Sequence, residues 1–122
     1  MAYQIKLTRY DGYIEVKAEG TQSFEDNVEL AEYCVSECVK TGIKKVLLDI
    51  TKLKGQPGVV ADYQLSKLIN PWVINGPVAK TAMVEDKSQL ESGKFFETAA
   101  RNHGADLMVF ADKKEALSWL LS

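Results

Sequence analysis

Three aspartates stand at or just beyond the ends of successive predicted strands: Asp49, Asp86 and Asp112. Ligands of open α/β sheets collect at the carboxyl ends of parallel strands, and clustered carboxylates are suitable ligands for Mg²⁺. Aspartate also caps helices and orders turns. The capping role is the simpler interpretation, so a magnesium-dependent enzyme ranks last among the functions that the sequence permits.

Six lysines are expected at the same end of the sheet: Lys52, Lys54, Lys87, Lys94, Lys113 and Lys114. Together with helix N-termini, which favour anions, they could receive an anionic ligand or an acidic partner. Lysines on loops are usually solvated, and acidic neighbours offset much of this charge. A solvated surface without a specific site is the favoured interpretation.

The remaining groups that could do chemistry lack partners. Cys34 and Cys38 lie four residues apart on one predicted helix, but a closed zinc site needs four ligands. His103 could serve as a general base, but the sequence spacing pairs no serine or cysteine with it. We therefore predict no catalytic motif, no metal site and no cofactor.

Composition narrows the class of protein. With 122 residues, 46% apolar content and 26% charge, the chain is typical of one globular domain. A net charge of −2 disfavours nucleic-acid binding. No apolar run approaches the roughly 20 residues of a membrane span, and the N-terminus lacks the apolar core of a signal peptide. We expect a cytoplasmic protein with free thiols.

The first 42 residues predict a β-hairpin followed by a helix. Apolar residues alternate on both sides of Asp11-Gly12, a dipeptide suited to a tight turn. The polar face of the second strand is predicted from Glu15, Lys17 and Glu19. Ser23 can cap the helix and Gly42 can end it. Its apolar stripe consists of Phe24, Val28, Ala31, Val35 and Cys38.

The rest of the chain alternates between strands and helices. Residues 46–50 form an apolar run, broken only by Asp49, that is typical of a strand covered on both faces. A helix is expected over residues 59–70 and ends before Pro71. A strand follows at 78–84, then a helix from a Ser88/Glu91 capping box to about residue 103. A strand at 107–110 precedes a last helix, which opens on an Asp112/Glu115 capping-box pattern.

This order, ββαβαβαβα, predicts an α/β fold. Helices between successive strands require parallel pairing and right-handed crossovers. Only the first strand is antiparallel, because its hairpin is too short for a crossover. The fold class is a single-layer (βα) superhelix with about five strands and about four helices in one domain spanning residues 1–122.

The hairpin, the strand KVLLDITKLKG, the later FFETAARNHG and the closing VFADKKEALSWL together resemble the STAS-type fold of anti-sigma-factor antagonists. They resemble still more the small bacterial STAS/SEC14-like proteins. In the antagonists, a kinase phosphorylates a Ser or Thr in a turn shortly after the strand that corresponds to residues 46–50. Here that turn, residues 53–58, has no hydroxyl side chain, and Thr51 does not match the motif. The resemblance therefore implies the fold without the phosphorylation switch.

Our leading hypothesis is a non-enzymatic regulatory or protein-interaction module that binds a protein partner or a second copy of itself. Its surface would comprise residues 51–58, the start of the next helix and the apolar segment around Trp72, which could equally fold back as a lid. The alternative is a carrier of a small apolar or anionic ligand, held near the Lys52/Lys54 loop and the 94–96 segment. The candidate residues are Asp49, Thr51, Lys52, Lys54, Gly55, Gly58, Val59, Tyr63, Trp72, Lys94 and Phe95. Whether Thr51 or Ser66 is phosphorylated stays open.

Overall fold

The strands of the sheet follow one another in space as they do in the chain. The computed structural model describes residues 1–73 and 76–122, and within them the sheet has five strands. They are β1 (Gln4–Arg9), β2 (Ile14–Thr21), β3 (Lys45–Lys54), β4 (Lys80–Val84) and β5 (Leu107–Phe110). β1 is antiparallel to β2 and all other pairs are parallel, which confirms the predicted α/β class and mixed sheet.

Helices cover both faces of this sheet. They are α1 (Phe24–Thr41), α2 (Val59–Leu68), α3 (Asn70–Val73), α4 (Leu90–Asn102) and α5 (Lys113–Leu120). Side chains of α1 to α4 pack against one face, here called the front face. Ala116 and Leu120 of α5 pack on the other, the back face, against Leu47, Ala82 and Val84. β3 is therefore covered on both faces, as its apolar run predicted.

Local capping signals place both ends of α1. The Ser23 hydroxyl accepts a hydrogen bond from the Asp26 amide at 3.1 Å, and Gly42 at φ +74° donates its amide to the Cys38 carbonyl at 2.9 Å. The predicted stripe was partly wrong. The buried face is centred on Leu30, Cys34 and Cys38, and the other predicted positions are only half-buried.

The region around Asn70-Pro71 differs from the prediction. α2 ends at Leu68, and the chain then starts the short α3, with Pro71 in its first turn. Proline is tolerated there because the first amides of a helix have no intrahelical partner. Pro71 therefore begins a helix rather than only ending one. Of the predicted turn at residues 75–77, Asn75 lies outside the described residues.

The predicted Ser88/Glu91 capping box was also wrong. Asp86 instead caps a short 3₁₀ turn (Lys87–Gln89), because its carboxylate accepts the Ser88 amide at 3.0 Å and the Ser88 hydroxyl as well. α4 begins only at Leu90. Asp112 caps α5 as predicted, but it accepts the Lys114 amide at 2.7 Å, and among the described residues Glu115 does not complete the predicted box.

β3 extends one residue before and four residues after the apolar run 46–50 that predicted it. Between the pairs Lys17–Asp49 and Glu19–Lys52, β3 uses one more residue than β2. This bulge turns Leu53 into the front-face core, where it is 2% exposed. The side-chain alternation breaks at the bulge, which is why the predicted strand stopped at Ile50.

Glu15 is buried, contrary to the prediction that it lies on a solvated face of the hairpin. Glu15 points to the back face and is 4% exposed, because α5 covers it. The Lys113 ammonium contacts the Glu15 carboxylate and lies 3.9 Å from that of Asp49. Burial lowers the pKa of Lys113, but the ion pairs with Glu15 and Asp49 outweigh it and hold this pKa above its ordinary value.

Among the described residues, no helix combines the length and the apolar character needed to cross a membrane.

Candidate functional site

The residues predicted to form one surface after β3 lie in two separate places: some on the back face of the sheet and others in the loop 55–58 and α2. Asp49, Thr51 and Lys52 lie on the back face, where they line a shallow groove with Lys17 and Glu19 of β2. Asp49 accepts both the amide of Thr51 at 3.1 Å and its hydroxyl at 2.7 Å. Because β3 continues to Lys54, Thr51, Lys52 and Lys54 belong to a strand and not to the predicted loop.

The actual loop is residues 55–58, and it leads into α2. Gly55 at φ +84° and Gly58 at φ +101° adopt backbone conformations that favour glycine. In the first turns of α2, Val59, Val60 and Tyr63 are 59%, 68% and 49% exposed. Their spacing of three and four residues places them on one face, which we call the α2 apolar face. The sequence predicted their helix but not that this side of it faces outward.

The other candidate residues lie on separate elements. Trp72 is half-buried and packs against the front-face core, which agrees better with a lid over the core than with a fully exposed patch. Phe95 on α4 is 42% exposed. Lys94 is exposed, but its ammonium is paired with Glu97 at 2.9 Å.

The three strand-end aspartates do not converge. Asp49 lies within β3, while Asp86 and Asp112 each cap a turn or helix. In residues 1–73 and 76–122, no group of three His, Cys, Asp or Glu side chains is placed to hold a metal ion. These positions support the simpler interpretation of the aspartates.

Cys34 and Cys38 pack as small apolar side chains in the front-face core. Burial raises the pKa of Cys34 to about 12 and that of Cys38 to about 11. Both thiols are therefore protonated at neutral pH, and neither is a ready nucleophile or metal ligand.

Tertiary structure gives His103 a serine partner that its sequence spacing did not indicate. The Ser66 Oγ lies 3.0 Å from His103 Nδ1, and Ser66 is fully buried. The Ser66 hydroxyl donates to the Tyr63 carbonyl at 2.6 Å, and Nδ1 lies 2.9 Å from the Ala99 carbonyl. These bonds, with one from the Asn70 amide to the His103 carbonyl, connect α2 and the start of α3 to the end of α4. The Ser66 hydroxyl already has a carbonyl acceptor, and holding these helices together is a sufficient role for the pair.

A mainly apolar cavity of about 130 Å³ lies between the front face and helices α1, α2 and α4. Apolar side chains form most of its wall: Leu30, Cys34, Val46, Leu48, Ile50, Leu53, Leu65, Ile69, Trp72, Val78, Met83, Phe96 and Leu107. The sequence predicted the core residues but no space between them.

Two carboxyl groups stand at the end of this cavity nearest the carboxyl ends of β3 and β4. Glu85 follows β4, is only 6% exposed and lies directly beneath Gly93 of α4. Burial, together with Asp62 and Asp86, raises its pKa to about 7. Asp62 on α2 lines the same end, and burial raises its pKa as well. Sequence reasoning missed both; a glutamate directly after the buried Ala82–Val84 run was the available signal.

No protein-family model and no curated protein matches this sequence significantly. Solved structures do match. An anti-sigma factor antagonist from Mycobacterium paratuberculosis superposes with a TM-score of 0.65 at 10% identity, covering 99% of this chain and 96% of the other.

A second match has higher identity. It is an uncharacterized protein from the DUF3478 family with a SpoIIAA-like fold, from Shewanella loihica PV-4. Its TM-score is 0.56 at 24% identity, with coverage of 97% of this chain and 93% of the other. The chain thus has a SpoIIAA-like, STAS-type fold, as the sequence resemblance indicated.

Proposed function

We propose that this protein is a small regulatory or protein-interaction module that binds a protein partner without covalent chemistry. The observation that carries the proposal is the α2 apolar face. Val59, Val60 and Tyr63 are about half to two-thirds exposed next to the 55–58 loop. Exposed apolar residues that adjoin one another are typical of interaction surfaces. The fold shared with an anti-sigma factor antagonist supports the same class of function.

Binding would occur by docking of the α2 apolar face and the backbone of the 55–58 loop onto the partner. The turn at residues 53–58 offers no hydroxyl for phosphorylation. Ser66 is fully buried, and the Thr51 hydroxyl is bonded to Asp49. We therefore propose control by partner availability or by ligand, not by phosphorylation of this turn. A homodimer through the same face is the variant in which the partner is a second copy.

Val60→Glu is expected to reduce partner binding at least tenfold without unfolding the protein. A buried interfacial valine contributes roughly 1.5 kcal/mol or more, and a buried unpaired charge is worse. The measurement is quantitative affinity capture from a lysate of the source cells, with sedimentation velocity to detect self-association. Val60 is a better target than Gly58, whose positive φ would strain any replacement.

The matched control is Val39→Glu, since Val39 is 66% exposed on α1, away from α2. It introduces the same charge on a helix surface of similar exposure. Partner recovery should fall with Val60→Glu and persist with Val39→Glu. Equal recovery with both variants would remove α2 from the proposed interface.

A second function, carriage of a small apolar ligand, is favoured by the cavity. Its volume of about 130 Å³ is on the scale of a cavity that holds benzene. Native mass spectrometry of the purified protein is expected to show an added mass that disappears on denaturation. A spectrum with only the bare mass in several preparations would count against this function.

A further inference from the structure

The ionisable side chains at one end of the cavity are both acidic. Most of the wall is apolar, and at the end nearest the carboxyl ends of β3 and β4 the ionisable side chains are Glu85 and Asp62. The other polar side chains that line this end are neutral: Gln22, Asn27, Gln56, Gln89 and Ser92. The cavity therefore combines an apolar interior with an acidic end.

Glu85 has the features of a ligand-binding group rather than of a structural one. It is more than nine-tenths buried and lines the cavity. None of the described residues hydrogen-bonds its carboxyl, although its backbone amide donates to the Phe110 carbonyl at 2.9 Å. Buried carboxylates are normally paired or hydrogen-bonded. The described part of the chain thus offers the Glu85 carboxyl no hydrogen-bond partner, and its oxygens, which are not fully buried, stay accessible from the cavity.

The nearby lysines do not supply that partner. Lys80 belongs to the wall, but its ammonium turns to the back face, donates to the Trp119 carbonyl at 2.7 Å and lies 4.4 Å from the Trp119 ring. The Lys94 ammonium is paired with Glu97. The charged groups that influence Glu85 are Asp62 and Asp86, and both oppose its ionisation. A cation entering from outside would relieve both carboxyl groups.

We infer that the cavity binds a small apolar amine, with its ammonium at Glu85 and Asp62 and its hydrocarbon part against Leu48, Met83 and Phe96. This inference rests on the carrier function and specifies its ligand class. The volume of about 130 Å³ accepts a group of roughly the size of a benzene ring. Fatty acids and other anions are disfavoured, because their carboxylate would face two acidic groups in a partly buried site.

Three ligands that share one ring separate the head-group chemistry from the apolar contact. Isothermal titration calorimetry at pH 8 and constant salt should show benzylamine binding at least tenfold more tightly than benzoate, with benzyl alcohol between them. Glu85→Gln is expected to weaken benzylamine binding about tenfold and to change benzyl alcohol binding less than twofold. Glu91→Gln is the matched control, because Glu91 is exposed on α4 and its replacement removes the same charge.

Benzylamine binding should also depend on pH. Glu85 is protonated below its pKa of about 7, so its carboxylate is available to an ammonium only at higher pH. Lowering the pH from 8 to 6 should weaken benzylamine binding about tenfold and leave benzyl alcohol unchanged. Asp62 of α2 lines the same end of the cavity and burial raises its pKa, so its protonation would extend the decrease on further acidification. Asp86 of the 3₁₀ turn also influences Glu85, but hydrogen bonds from Ser88 lower its own pKa, so it stays ionised between pH 8 and 6.

The outcomes distinguish failure of the amine inference from failure of the carrier function. If benzyl alcohol binds but benzylamine binds no better, the cavity is a ligand site and the amine inference is wrong. If benzylamine binding ignores Glu85→Gln, the inference is equally wrong. If none of the three ligands binds, both the carrier function and the amine inference fall. An unchanged pH profile would place the ammonium away from Glu85.

Discussion

Replacing Lys113 with methionine is expected to lower the free energy of unfolding by roughly 2–4 kcal/mol. The Glu15 carboxylate is 4% exposed under α5, and the Lys113 ammonium is the cation that contacts it in the described structure. Removing one partner of a buried ion pair leaves the other charge buried and uncompensated. We expect less than the roughly 3–5 kcal/mol of a fully buried pair, because Lys113 itself is about half exposed. Denaturant unfolding at pH 7 measures the change.

Lys114→Met is the control for this prediction. Lys114 is the neighbouring residue on α5, is exposed and forms no ion pair among the described residues. Its loss should change the free energy of unfolding by less than about 0.5 kcal/mol. The double variant Glu15→Met with Lys113→Met should recover most of the stability, because two apolar groups replace the pair. Equal effects of Lys113→Met and Lys114→Met would show that Glu15 does not depend on Lys113.

Glu85→Gln is expected to stabilise the unliganded protein by about 2–3 kcal/mol at pH 8. Folding raises the pKa of Glu85 from 4.5 to about 7, so the native state binds more protons than the unfolded state between these values. Stability is therefore lost as the pH rises through this window, and the loss is complete above about pH 7. A shift of this size corresponds to about 3 kcal/mol, which we reduce because solvent partly screens the group.

The pH dependence identifies the cause of this stabilisation. At pH 5 the native carboxyl is already protonated, so the advantage of Glu85→Gln should shrink to below about 1 kcal/mol. Glu91→Gln, an exposed change on α4, should give no advantage at either pH. A gain from Glu85→Gln that is the same at pH 5 and pH 8 would mean that ionisation of Glu85 is not its source.

The stability predicted for Glu85→Gln and the predicted binding of benzylamine are linked through function. The ionised Glu85 carboxylate is expected to lower the stability of the unliganded protein, and a bound cation would offset this loss of stability. Such strain is characteristic of binding sites, where stability is exchanged for recognition. Benzylamine should accordingly stabilise wild-type protein more than Glu85→Gln, because it binds the native state alone.

Local features of this fold were readable from residues close together in the chain. Asp11-Gly12 predicted the hairpin, Ser23 and Gly42 predicted the ends of α1, and Asp112 predicted the start of α5. Each of these depends on the conformation or side-chain hydrogen bond of one residue and its near neighbours. The same reasoning failed at Ser88, because Asp86 competes for the same amide groups.

Features that depend on distant contacts were not readable. The bulge in β3 follows from its pairing with β2, and the Ser66–His103 contact joins residues 37 positions apart. Neither has a periodic pattern in the sequence. The α2 apolar face shows the same limit: Val60 and Leu65 look equivalent in the sequence, yet only Leu65 packs against the core.

The sequence by itself determined the order of the strands and main helices and the mixed sheet, because hydrophobic period and turn chemistry are properties of neighbouring residues. The STAS-type fold followed from its resemblance to a known family. Only the tertiary structure decided the candidate site. Glu15 and Glu85 are both glutamates beside apolar strand residues, yet α5 supplies a lysine to the first, whereas the second faces a cavity. Which helix covers a strand, and how closely, decides whether a buried charge is paired or left open to a ligand.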